Sequence, residues 1–152
     1  MKQLTSYAIA LLLIITSIGA QAQTSTVTKP AVFNNFPAKI NCSATELNRA
    51  FATTLNQSIN LSFSDNFSFK GEVVSNIQRY DNLQTAVIKS SDFSDMVFMV
   101  SKITNKDKSI TYVGRMMNKR YSDGYELKKD AQNNYQLIKI ETDKILQVCS
   151  QQ

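Results

Sequence analysis

The sequence predicts an exported α+β domain: one N-terminal helix packed on a curved antiparallel meander sheet of six or seven strands. A partly closed β-barrel is the alternative closure of the same sheet. Three observations carry this reading. An apolar leader ends in a small-residue cleavage pattern, a single stretch of helical periodicity follows, and from residue 59 onward the apolar period becomes two with short turns between runs.

The leader comes first. Lys2 supplies a short positive start, Tyr7 to Ile18 form an apolar run of 12 residues, and Ala20-Gln21-Ala22 follows. This is the three-part pattern of a signal peptide cleaved after Ala22, and the run falls well short of the ~20 residues that span a bilayer. No cysteine occurs before Cys42, which argues against a lipid anchor. Cleavage leaves 130 residues with a net charge of +4, enough for one domain. No later stretch is long and apolar enough to span, so the mature chain is expected to lack a transmembrane segment and to be secreted or periplasmic. Residues 23–39 hold both prolines, Pro30 and Pro37, among Thr, Ser and Asn, and read as a flexible linker. The folded domain is expected over 40–152.

Ser43 with Glu46 three residues on forms a capping box. Ala44, Leu47, Ala50, Phe51 and Leu55 then line one face, predicting a helix over 44–56 whose stripe meets the core. Ile59, Leu61 and Phe63 alternate with polar residues, as do Phe67, Phe69, Val73 and Ile77. Further strands are expected at Leu83 to Lys89, Met96 to Lys102, Ile110 to Met117, Tyr125 to Lys129 and Tyr135 to Ile140. Their connections are too short for crossover helices, so the strands run antiparallel. Met96 to Val100 is apolar on both faces and predicts a strand covered on both sides. YELKK from Tyr125 and YQLIK from Tyr135 read as two arms of a hairpin with paired tyrosines and leucines. Gly71 and Gly114, inside strand candidates, mark a bend or a second backbone passing close.

Cys42 and Cys149 are expected to form a disulfide outside the cytoplasm, closing a loop of 106 residues and stabilising by up to ~4.7 kcal/mol in the chain-entropy model. The competing reading, a reactive thiol at a helix start, has no CxxC pair and no histidine base beside it.

The chain has no histidine at all, which removes Ser-His-Asp and Cys-His catalysis and histidine-held metals. The acid pairs Asp92 with Asp95 and Glu126 with Asp130 read as turn residues, as does Asp123-Gly124. Four Asn-x-Ser triplets, from Asn41, Asn56, Asn60 and Asn66, are attributed to composition. No nucleotide, phosphate or calcium motif occurs, and neither a cofactor nor a metal is expected. Charge offers the one pointer to a partner. From Lys102 to Lys144 there are ten basic and six acidic residues, the whole surplus of the mature chain. Lys119, Arg120, Tyr121, Lys128 and Lys129, with Lys106 and Lys108, fall in or beside turns and are expected to form a basic, tyrosine-containing loop surface. Its partner would be a protein or an anionic envelope component, with nucleic acid not expected.

FKGEVVSNIQRYDNLQTAVIKSS from Phe69, TYVGRMMNKRYSDGYELKKD from Thr111 and YQLIKIETDKILQVCS from Tyr135 together resemble small secreted proteins of Bacteroidota bacteria, over roughly Cys42 to Ser150. The shared motifs are strand and turn patterns. The resemblance therefore implies an envelope or extracellular location and no site residue. The expected function is non-catalytic binding. A carrier of a small apolar ligand, lined by Phe67, Phe69, Met96, Phe98, Met116 and Met117, is the alternative, and a carboxylate or Ser-Lys hydrolase is third.

Overall fold

The Ser43 hydroxyl accepts the Glu46 backbone N–H at 3.1 Å, and this cap starts helix α1, Ala44–Ala52, in the computed structural model, which describes residues 29–142 of the chain. Such a cap contributes about 0.5–2 kcal/mol. Glu46 also pairs with Arg49 at 2.8 Å. The helix stops earlier than its apolar stripe suggests: Thr53 turns to extended backbone and its N–H closes on the Arg49 carbonyl, which leaves Leu55 outside the helix and exposed. Leu47, Ala50 and Phe51 are the face that α1 buries.

Eight strands make one antiparallel sheet: β1 Lys39–Cys42, β2 Ser58–Ser64, β3 Phe67–Tyr80, β4 Leu83–Ser90, β5 Val97–Thr104, β6 Ile110–Met117, β7 Asp123–Lys129 and β8 Tyr135–Glu141. Their order is β1-β8-β7-β6-β5-β4-β3-β2, so β2 to β8 form the expected meander. The eighth strand is β1, which pairs with β8 from Lys39 opposite Ile138 to Cys42 opposite Tyr135. The sheet curls until its edges β1 and β2 lie against each other without a ladder, a nearly closed barrel. Close approach at glycine accompanies the curl. A Cβ on Gly71 would land on the Lys89 carbonyl, and one on Gly114 would sit 2.6 Å from the Met99 carbonyl oxygen. Bulges at Ser62/Ser64 and Val73/Ser75 add local twist.

Alternation puts Ile59, Leu61, Phe69, Val73, Ile88, Phe98, Val100, Met116, Leu127 and Leu137 inside, where they are buried. The two ends are closed differently. The lower end carries the β3–β4, β5–β6 and β7–β8 turns and is covered by α1: Asn48 accepts from Lys102 Nζ at 3.0 Å and from the Tyr112 hydroxyl at 3.3 Å. The upper end is closed by aromatic rings and by residues 30–38.

That upper strap corrects the expected linker over its described part. Phe33 is 0% exposed and meets the rings of Phe36, Phe67, Phe93 and Tyr125 at centroid distances of 4.9–6.1 Å. The buried Asp123 carboxylate accepts the N–H groups of Val32 and Phe33, each at 2.8 Å. Lys139 Nζ donates to the carbonyls of Phe33 and Phe36, each at 2.7 Å. The Tyr125 hydroxyl donates to the Pro37 carbonyl at 2.6 Å, and burial with the nearby Asp123 charge pushes its pKa up to about 12. Asp123 is thus a buried anchor at the start of β7.

One finer expectation changes, the pairing of the tyrosines. In the β7–β8 hairpin the leucines pair, Leu127 opposite Leu137, while Tyr125 faces Lys139 and Tyr135 faces Lys129. The β6–β7 ladder covers only Gly114 to Met116. Below it the Tyr112 N–H donates to the Tyr135 hydroxyl at 3.1 Å, so a side chain takes the place of a ladder partner. The expected export leader, residues 1–22, lies outside the described residues.

Candidate functional site

The outer face of β3 to β6 is the feature that structure adds to the sequence. On an antiparallel sheet with one covered side, outward positions are normally polar. Here one outward row runs Ser75, Val87, Met99, Arg115, Glu126, and the next runs Ile77, Thr85, Ser101, Val113. Val74 is 43% exposed, Ile77 44%, Met99 51% and Val113 44%. Val87, Val97, Leu83 and Ile103 are half-buried on the same side. The hydroxyls of Thr85 and Ser101, 2.9 Å apart, satisfy each other at the centre of this face. The reading of β5 as covered on both sides is therefore corrected: Phe98 and Val100 are buried within, while among the described residues nothing covers Met99. Periodicity placed these residues in strands, but it gave no way to tell an uncovered apolar face from a second core.

A groove of about 360 Å³ borders this face where β6 and β7 part, lined by Met99, Ser101, Val113, Arg115, Glu126 and Lys128 among others. Glu126 carries its charge balance: Arg115 Nη2 and Lys128 Nζ each lie 2.8 Å from a carboxylate oxygen. Hydrogen bonding from Lys128, then from Arg115, holds the Glu126 pKa below the usual carboxylate value. A wider groove of about 730 Å³ lies over the start of β2, the first half of β3 and the end of β4, with Asn60, Lys70, Glu72, Val74, Lys89 and Ser90 among its lining.

The residues expected to form a basic surface are not brought together. Lys119, Arg120 and Tyr121 lie in the β6–β7 connection at the upper end, and Lys128 and Lys129 end β7 at the lower end. Six strand rises, about 20 Å, separate the two groups. Arg120 is paired with Asp95 at 2.9 Å, Lys128 with Glu126, and Lys129 Nζ stands 5.7 Å from the Tyr135 ring centroid. Tyr121 is half-buried against the core. Lys106 and Lys108 do share the lower end with Lys128 and Lys129, and Asp107 sits among them, its pKa lowered chiefly by hydrogen bonds from Ser109.

The Cys42 thiol is buried, donates weakly to the Ile40 carbonyl at 3.6 Å, and has its pKa pushed up to about 12 by burial. Such a thiol is a poor nucleophile. Cys149 lies outside the described residues.

Of the proposed carrier lining, Phe67, Phe69, Met96, Phe98 and Met116 are buried core and Met117 is only partly buried. Among the described residues no helix is long and apolar enough to cross a membrane, and no three His, Cys, Asp or Glu side chains gather in a metal-holding group. Compared with protein-family models, with curated proteins and with solved structures, the chain matches none.

Proposed function

We propose that this chain is a non-catalytic binding domain of the cell envelope or extracellular space, and that it meets a protein partner through the outer face of β3 to β6. The supporting observation is Val74 and Ile77 on β3, Met99 on β5 and Val113 on β6, all more than two-fifths exposed on one face, with half-buried Val87 of β4 between them. Contiguous exposed apolar surface of this kind marks interaction sites in folded domains. A protein partner is favoured over an anionic polymer because Arg115, Arg120 and Lys128 already hold acidic neighbours. Apolar centre and charged border is also the usual anatomy of a protein interface.

The experiment compares three forms of the mature protein as bait for envelope extract: wild type, M99K/V113K, and the quadruple change of Lys119, Arg120, Lys128 and Lys129 to Glu. The reading expects a defined protein retained by wild type and by the quadruple variant and lost from M99K/V113K. Retention by M99K/V113K with loss from the quadruple variant would return the site to the basic loops. No difference between the three would end the proposal.

A further inference from the structure

We propose that the upper mouth of the barrel is a receptor site for a turn-forming, phenylalanine-bearing peptide, occupied in this chain by its own residues 30–37, where the Phe36 N–H closes a turn on the Phe33 carbonyl at 3.0 Å. This is independent of the outer-face reading. The strap is held as peptide ligands are held, by groups that address main chain rather than side chains. Asp123 takes the Val32 and Phe33 N–H groups, Lys139 gives to the Phe33 and Phe36 carbonyls, the Tyr125 hydroxyl gives to the Pro37 carbonyl, and the Ser122 N–H gives to the Pro30 carbonyl. An acid and an amine set on adjacent strands, β7 and β8, thus clamp opposite polarities of one backbone segment.

Only one side chain of the strap is fully buried. Phe33 enters the ring of Phe67, Phe93 and Tyr125, with Phe36 and Val32 partly buried at the rim. Selectivity therefore rests on an aromatic at that one position, while the clamps tolerate any residue with a free N–H beside it. The strap makes no strand pairing of its own before Lys39, and a proline stands at each end of it. Proline fixes φ at each end of the segment and lowers the ordering cost of docking it. Because the strap is tethered, its effective concentration is of the order of millimolar, so a free peptide competes only where the tethered copy is weakened.

The test uses the full mature chain carrying F33A and a fluorescein-labelled peptide of residues 30–38, followed by anisotropy. Saturable binding at least tenfold tighter to F33A than to wild type is expected. A peptide with alanine in place of its first phenylalanine should not bind, and D123A added to F33A should abolish binding. If F33A does not fold, F33L takes its place, with a rise in melting temperature on adding peptide as the second readout. A folded variant with a vacated pocket that binds the peptide no better than wild type, or binds the alanine peptide equally, overturns the proposal.

Discussion

Asp123→Ala removes the one carboxylate that fixes the strap to β7. Its two oxygens each accept a buried or partly buried N–H at 2.8 Å, from Val32 and from Phe33, across some ninety residues of sequence. A hydrogen bond to a charged group contributes about 1.5–3 kcal/mol, and removing the acceptor leaves both donors without one. The sum for two such bonds is about 3–5 kcal/mol once partial relaxation of the strap is allowed. A domain of this size has only about 5–15 kcal/mol in hand. Urea unfolding followed by far-ultraviolet circular dichroism, with tyrosine emission as a second probe because the chain has no tryptophan, gives the shift directly. With a slope of about 1–3 kcal/mol/M the midpoint should fall by at least 1 M. Asp123→Asn, keeping one acceptor oxygen, should lose roughly half as much. Asp95→Asn breaks an exposed pair with Arg120 while suiting the left-handed backbone at that position, and should cost under about 1 kcal/mol. If Asp123→Ala matches Asp95→Asn, the strap is not held by this carboxylate.

Gly71→Ala places a methyl on the Lys89 carbonyl, a backbone contact that no rotamer relieves, and should destabilise by about 1–3 kcal/mol in the same assay. Glu126 has a folded pKa below its unfolded value near 4.5, so its contribution is present above that pH and lost as pH falls through the folded value. Glu126→Gln should therefore flatten the acid limb of a stability–pH curve and leave its neutral-to-alkaline slope unchanged; an unaltered acid limb would dismiss the charge network. For the cysteines, alkylation of denatured, unreduced mature protein should label neither thiol if Cys42 and Cys149 are bridged. Mass addition at both would remove the bridge.

Seven of the eight strands were legible because period two and Asn, Asp or Ser turns punctuate the chain from Ile59 onward. Strand β1 was not: KINC is too short for alternation to register and runs directly into the Ser43 cap. The strap was hidden by its composition, since Pro, Asn and Ala read as loop and the β-strand partners of Phe33 lie from Phe67 to as far as Lys139, 106 residues away. The scatter of the basic residues was readable in principle. In a meander, connections alternate between ends, so Lys119 and Lys128, one strand apart, had to face opposite ways. The outer face stayed hidden because Met99 and Val113 are the residue types that usually fill a core.

The seam between β1 and β2 has a mechanical meaning. Neighbours in sequence, these strands are first and last in the sheet, so hydrogen bonding runs the long way round, and among the described residues α1 at one end and the aromatic strap at the other draw the edges together. Glu46 reaches across to accept the Ser62 N–H at 3.0 Å, while the amides of Ser58 and Asn60 point the same way by the alternation of the ladder. Breathing of the molecule should begin along this line, with those amides among the first in the sheet to trade their protons for deuterium. Loosening the helix and the strap together would let the cylinder uncurl into a ribbon without first breaking a single rung of the ladder.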